Sequence, residues 1–133
     1  QLAQAQEMME FSMNILTQIT AANVFNEAID LKMQDVRKKL KEKSRLISAW
    51  GDSQSFFKLH SILGGYYAWI TWDGKKLDPE LAEKVVDMGL GIAPSLLFGQ
   101  DINGIRINYS RLDETQIPLF YSKMKILEKW LTE

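Results

Sequence analysis

The first half of the chain has the hydrophobic pattern of helices. From Leu2 to about Trp50 it contains no proline, and its first glycine is Gly51. Between about residues 23 and 50, apolar residues recur at intervals of three, four or seven, which predicts one stripe of a long amphipathic helix. The stripe consists of Phe25, Ile29, Met33, Val36, Leu40 and Ile47. Because Gly51-Asp52-Ser53 follows it, we expect the helix to end there.

A second helical segment precedes this stripe and is apolar nearly all round. It reads QEMMEFSMNILTQIT, and its apolar residues are Met8, Met9, Phe11, Met13, Ile15, Leu16 and Ile19. A helix that is apolar on every side needs cover on every side. We therefore predict that residues 8–19 form an interface, either with something outside this chain or with a second subunit in a homodimer.

The second half of the chain changes period. LGGYYAWITW (63–72) is rich in aromatic and β-branched residues and predicts a strand, and the DGKK that follows it predicts a turn. Asp78 suits the N-cap of a helix and Pro79 suits its first position. We expect this helix to end near Met88-Gly89.

Two short strands and a helix complete the predicted elements. The strands are GIAPSLLFG (91–99) and GIRINYS (104–110), with a turn between them. Asp113 is the predicted cap of the last helix, whose apolar residues repeat at helical spacing. Those residues are Ile117, Phe120, Tyr121, Met124, Leu127 and Leu131.

This order of elements predicts an α+β fold. Consecutive strands joined by a short turn are antiparallel, so we expect the long N-terminal helices and two further helices to pack on one face of a small, mainly antiparallel, three-stranded sheet. The length of 133 residues fits a single domain, residues 1–133. Within it, residues 1–22 would be a helical segment belonging to a large-domain or dimer interface, and residues 23–133 the α+β domain.

Composition excludes several kinds of function. Sixteen basic residues balance seventeen acidic ones, which gives no electrostatic basis for binding nucleic acid or an anionic membrane. The chain has no cysteine and one histidine, His60, so thiolate chemistry is excluded and a histidine-built metal site is not expected. No apolar run approaches the roughly 20 residues of a membrane span. We expect a soluble protein of the cytoplasm.

Three motifs in order resemble a known family. GGYYAW, then GLGIAPSLLFG after a capped helix, then GIRINYSRLDE before a terminal amphipathic helix are similar to the C-terminal small domain of class I/II aminotransferases. These are fold-type-I enzymes that depend on pyridoxal phosphate. The helix from about Asn23 to Trp50 matches the helix that links the large and small domains in the family. The proline-glycine usual in the second motif is Pro94-Ser95 here.

The resemblance implies a substrate site. Arg106 matches the arginine that binds the α-carboxylate of the substrate, and its planar guanidinium suits that task because it offers two parallel donors and keeps its charge. Gly64, Gly65 and Tyr66 match a glycine-aromatic element that lies near the substrate. The implied reaction is amino-group transfer from an amino acid to a 2-oxo acid.

The resemblance also implies that the catalytic parts lie outside this chain. The cofactor needs a lysine for its Schiff base, an aspartate for its pyridine nitrogen and a phosphate cradle, all of which the family places in the large domain. SFFKLHSILGG (55–65) imitates the lysine motif, but only 75 residues follow Lys58 and no phosphate-binding arginine comes after it. We therefore interpret 55–65 as a loop, expect no cofactor bound covalently to this chain, and expect the isolated chain to be inactive.

Two other functions stay open. The resemblance extends to transcriptional regulators that carry an aminotransferase-like module as a non-catalytic sensor of ligands. Alternatively, the chain is a structural dimerisation domain in which residues 8–19 form the interface and Arg106 has no ligand. The amino acid that a parent enzyme would use is not encoded in these residues.

Overall fold

The computed structural model describes residues 14–25 and 27–133. The chain forms two compact units, one ending at Lys38 and the other comprising Lys39–Glu133. The helices are α1 (Ile15–Val24), α2 (Glu27–Asp52), α3 (Pro79–Asp87) and α4 (Ile117–Thr132), with a 3-10 helix at Ser95–Phe98. The strands are β1 (Lys58–Leu59), β2 (Tyr67–Thr71), β3 (Ile92–Pro94) and β4 (Gly104–Asn108). The boundary between the units falls within α2.

Helix α1 lies in the N-terminal unit and is exposed along its length. It begins after Asn14, whose side-chain oxygen accepts a hydrogen bond from the Leu16 N–H at 2.9 Å. None of its residues is buried, and Ile15 and Leu16 are 65% and 69% exposed. The predicted helix is thus confirmed over residues 15–19, and residues 8–13 of the predicted interface lie outside the described part of the chain.

Helix α2 differs at its start from the helix predicted from Asn23. Asn23 belongs to α1, and the backbone leaves the helical region at Phe25, where ψ is 83°. The helical spacing of apolar residues continues from one helix to the next, so the sequence pattern did not reveal the break between them. The predicted end is confirmed, because α2 stops at Asp52. Of the apolar stripe, Ile47 is fully buried and Leu40 half-buried, so its C-terminal end is the part that packs in the core.

The sheet has four strands in the order β1-β2-β4-β3, and every neighbouring pair is antiparallel. The α+β class is confirmed, but the three-stranded count is wrong because residues 58 and 59 pair with β2. Two residues are too few to show a strand period in sequence. The pairing also depends on Gly51, since a Cβ there would lie 2.6 Å from Leu59 Cβ.

The predicted strand over 91–99 is only partly a strand. Extended pairing stops at Pro94, and residues 95–98 turn into the 3-10 helix, which ends at Gly99 with a left-handed φ of 68°. The Ser95 hydroxyl donates to the Ile102 carbonyl and is buried there. The apolar run SLLF therefore resembles a strand in composition while its backbone is helical.

The C-terminal part of α2 and helices α3 and α4 cover one face of the sheet, whereas α1, one of the N-terminal helices predicted to pack there, has no buried residue. Alternate residues of β2 and β4, and the residue after each strand, are buried: Ala68, Ile70, Trp72, Ile105, Ile107 and Tyr109. They share one core with residues of α2, α3 and α4, namely Ile47, Trp50, Leu81, Val85, Phe120, Met124, Leu127 and Leu131. The intervening strand residues lie on the opposite face, which we call the open face.

The ends of α3 match the sequence and the start of α4 does not. Asp78 accepts a hydrogen bond from the Leu81 N–H at 2.8 Å, and Gly89 follows the helix with a φ of 79°. Asp113 instead organises the turn before α4, which begins at Ile117. Hydrogen bonds from Thr115 and the Gln116 N–H hold the pKa of Asp113 below its ordinary 3.8. Over residues 14–25 and 27–133, no helix is both long and apolar enough to cross a bilayer.

Candidate functional site

Arg106 lies at the middle of the sheet on the open face. In the register it stands opposite Trp69 of β2 on one side and Ala93 of β3 on the other. Because side chains alternate along a strand, burial of Ile105 and Ile107 in the core directs Arg106 to the other face. Its side chain there is half-buried rather than fully exposed.

Two aromatic rings hold the guanidinium. Its central carbon lies 4.1 Å from the centroid of the Tyr67 ring and 4.6 Å from that of the Phe98 ring. Trp69 supports Phe98 edge to face, with ring centroids 5.5 Å apart and planes at 76°. We call these four residues, Arg106, Tyr67, Trp69 and Phe98, the arginine-aromatic cluster. In each of these contacts the positive charge of the guanidinium is attracted electrostatically to the face of the ring.

The guanidinium has no anionic partner within the described part of the chain. No carboxylate there lies within ion-pair distance of it, and no described residue accepts a hydrogen bond from it. An arginine stacked on rings through its faces still has N–H groups along its edges. Those edges can bind a carboxylate in the guanidinium plane with two parallel hydrogen bonds.

The three aromatic members of the cluster were missed by the sequence reading. Tyr67 and Trp69 could have been found, because they alternate with a period of two in YYAWITW and belong to β2, the strand that pairs with β4. No pattern in the sequence indicated Phe98, because it reaches the cluster through the 3-10 helix at Ser95–Phe98, where the sequence predicted a strand.

The glycine-aromatic element forms a separate contact. Gly65, at a φ of 80°, leads into β2, and its carbonyl accepts a hydrogen bond from the Tyr109 hydroxyl at 2.7 Å. The Tyr66 carbonyl accepts from the Tyr109 N–H at 3.0 Å. Alternation places the Tyr66 side chain, 49% exposed, on the side opposite to Tyr67. Gly64 is exposed. The structure thus brings Tyr67, and not the side chain of Tyr66, to Arg106.

Lys58 and His60 line a different cavity. Lys58 is exposed on the edge strand β1, and a ring nitrogen of the exposed His60 lies 2.9 Å from the Thr71 hydroxyl oxygen. Both residues border a broad cavity of about 1020 Å³, which also adjoins Asp52 and Asp73. Lys58 therefore has an open, solvent-facing setting on the sheet edge.

The glycines that follow α3 and the 3-10 helix do not form a phosphate cradle. A phosphate cradle places glycines before the N-terminus of a helix. Here Gly89 and Gly99 follow the C-terminal ends of α3 and the 3-10 helix. With Lys58 exposed at an edge, no described lysine lies beside such a cradle.

Comparisons with known proteins do not assign this chain to a family. Neither the models of known protein families nor the curated proteins contain a match to this chain.

The Tyr109 contact makes a testable contribution to stability. We expect Tyr109→Phe to lower the free energy of unfolding by about 1 kcal/mol at neutral pH, because the Gly65 carbonyl loses its donor. Tyr121→Phe is the matched control, since the half-buried Tyr121 hydroxyl has no hydrogen bond among the described residues. Urea denaturation followed by circular dichroism measures both, and equal losses would contradict the assignment.

The buried phenol of Tyr109 also predicts that the folded chain loses stability at alkaline pH. Burial raises the pKa of the Tyr109 phenol above its ordinary 10.0. As the pH rises, Tyr109 therefore loses its phenol proton in the unfolded chain before it does so in the folded one. The contribution of Tyr109 to the free energy of unfolding is complete below about pH 10 and is lost as the pH rises through the pKa of Tyr109 in the folded chain. The stability difference between the wild type and Tyr109→Phe should shrink over that interval, as measured by the same denaturation series.

Proposed function

We propose that this chain is the small C-terminal domain of a fold-type-I, pyridoxal-phosphate-dependent aminotransferase, in which Arg106 binds the α-carboxylate of the substrate. The observation that carries the proposal is the setting of Arg106. Its central carbon lies over the rings of Tyr67 and Phe98, and its N–H groups have no hydrogen-bond or ion-pair partner among the described residues. A fixed guanidinium with free edges is a receptor for a carboxylate.

The order of elements supports the same proposal. Apart from the added edge strand β1, a long helix, a strand, a capped helix, two further strands and a terminal helix follow one another as the resemblance implies, and the sheet is open on the face that carries Arg106. An open sheet face lets a second domain close over a ligand bound there. The large domain of the parent enzyme would supply the lysine and the cofactor that make transamination possible.

Arg106 would act by positioning. Binding the carboxylate at one end of an amino acid fixes the position of the Cα–N bond at which the reaction takes place. Strand β4 suits this purpose because its pairing to β2 and β3 on both sides restrains the backbone at residue 106. Tyr67 and Phe98 restrain the guanidinium itself, so less side-chain freedom is lost on binding.

Carboxylate binding tests this role. Pyruvate, titrated into the isotope-labelled chain, should shift the Arg106 side-chain resonances, whereas pyruvamide should not, because it lacks the negative charge. Arg106→Gln should weaken pyruvate binding by roughly tenfold or more, since charge-assisted hydrogen bonds contribute about 1.5–3 kcal/mol. Arg106→Lys should restore part of the affinity, because it keeps the charge and loses the fork.

Arg45→Gln is the matched control for this experiment. Arg45 is an exposed arginine of α2, and its loss should leave pyruvate binding unchanged. Unchanged binding in Arg106→Gln, or equal weakening in both variants, would contradict the proposal.

The cofactor should not attach to this chain. Lys58, on an edge strand, is exposed like many other lysines of the chain, so pyridoxal phosphate and borohydride should label exposed lysines unselectively and yield no one-to-one adduct on a single lysine. Intact mass and peptide mapping measure this, with Lys58→Arg as the comparison. A one-to-one adduct on Lys58 that disappears in Lys58→Arg would show that this chain carries its own cofactor lysine.

A specific observation also favours self-association. Three apolar residues of α1, Ile15, Leu16 and Ile19, are all more than half exposed. We propose that α1 packs against α1 of a second copy, which would bury these side chains and stabilise a homodimer.

Light scattering over a concentration series measures this self-association. The chain should shift from monomer to dimer, and Leu16→Glu should hold it as a monomer by placing a charge in the interface. Val86→Glu is the control, because Val86 is also an apolar residue that is more than half exposed, and it belongs to α3. A wild-type chain that stays monomeric at every concentration would rule out this interface.

A further inference from the structure

A pocket on the helix-covered side of the sheet is separate from the arginine-aromatic cluster. It has a volume of about 370 Å³ and lies where the end of β4, the segment 89–91 and the first turn of α4 meet. Arg106 does not line it, and Ile107, the next residue along β4, does. Its volume lies within the ~300–1,000 Å³ range of small-molecule sites.

The floor of this pocket is apolar. Leu90, Ile107 and Phe120 are all buried in the core and present their edges to the cavity. Leu112 and Leu119 add apolar walls, and Leu119 is 54% exposed. A ligand that enters the pocket therefore covers apolar surface that would otherwise contact water, which favours an aryl or aliphatic body.

The rim of the pocket is cationic. Arg111 and Lys123 both line it, and no acidic side chain is among the described residues around it. Arg111 is exposed and has no ion pair or hydrogen bond with any other residue that the structure describes. Two positive groups beside an apolar floor complement a ligand with one negative end.

Lys123 is held in place at this rim. Its ammonium donates to the Gly89 carbonyl at 2.8 Å and keeps two further N–H groups. Gly89 adopts a left-handed φ of 79° at this point, and its lack of a side chain leaves the Lys123 ammonium close to its backbone. The backbone therefore fixes one cation while Arg111 is free to close on a ligand.

We propose that this pocket binds a hydrophobic monocarboxylate, with its apolar body on Leu90, Ile107 and Phe120 and its carboxylate between Arg111 and Lys123. The site is independent of Arg106, which faces the opposite side of the sheet. The carboxylate takes the unused N–H groups of the two cations, and the body excludes water from the floor. Both parts of the ligand are required, since either alone engages only half of the site.

The test compares the binding of ligands that share one carbon skeleton and differ in the charge of their end group. 4-Phenylbutyrate should bind, as followed by calorimetry and by backbone amide shifts at Gly91, Leu112 and Leu119. 4-Phenylbutanol and 4-phenylbutylamine, which carry no charge and a positive charge, should bind at least tenfold more weakly. Acetate, which lacks the body, should produce no shifts at these residues at the same concentration.

Variants locate the binding. Arg111→Gln should weaken 4-phenylbutyrate binding about tenfold, and Arg111→Lys should weaken it less. Lys125→Gln, on an exposed position of α4, and Arg106→Gln should leave it unchanged. Because Arg111 is exposed and has no described partner, its substitution should not disturb folding, and circular dichroism checks this. Leu119→Gln should weaken binding through the apolar wall alone.

Three results would overturn the proposal. One is equal binding of the carboxylate, the alcohol and the amine, which would make the pocket a non-specific apolar surface. Another is loss of binding in Arg106→Gln with retention in Arg111→Gln, which would move the carboxylate to the open face. The third is an absence of shifts at Gly91, Leu112 and Leu119 with the wild-type chain.

Discussion

The C-terminal unit depends on the burial of a single face of its sheet. Helices α2, α3 and α4 all contribute to one core, and Trp50 is its centre, with its ring 5.0 Å from that of Phe120 and 6.1 Å from that of Phe57. Because side chains alternate along a strand, fixing Ile70, Ile105 and Ile107 in that core also fixes which residues face outward. The arginine-aromatic cluster is a direct consequence of this division, since the outward set comprises Tyr67, Trp69 and Arg106.

Strand β4 gives adjacent residues opposite chemical tasks. Ile107 contributes to the floor of the pocket on the covered side, and Arg106 presents its charge on the open face. A charged group placed in the core without a partner would be costly, so the register that buries Ile107 also excludes Arg106 from the interior. On the open face the guanidinium of Arg106 lies over the rings of Tyr67 and Phe98. The arrangement provides a positive group with no counter-ion among residues 14–25 and 27–133.

Sequence reasoning predicted the elements that have a strong local signal. The Asp78-Pro79 start of α3, the Gly51-Asp52-Ser53 end of α2 and the strand around Arg106 all follow from capping chemistry or from periodicity. It failed where the outcome depends on distant contacts. The edge strand at residues 58 and 59 exists only because β2 is beside it, and the turn at Ser95–Phe98 is stabilised by the Ser95 bond to Ile102. Arg106 could be singled out from its sequence, but its neighbour Phe98 could not, because that contact arises from the turn.

Because Gly104 has no side chain, it leaves space beside the Trp69 ring on the open face. It pairs with Thr71, and a Cβ there would approach the Ile70 carbonyl and the Thr71 methyl at 3.3 Å and the Trp69 indole at 3.4 Å. The tryptophan ring therefore rests partly on bare backbone, and the orientation of Phe98 against that ring depends on the vacancy below it. A methyl group at residue 104 would require the Ile70 carbonyl and the Thr71 methyl to give by a few tenths of an ångström, and it would touch the Trp69 ring. Because Trp69 contacts Phe98 and Phe98 lies against Arg106, the size of residue 104 bears on a guanidinium that it does not itself touch.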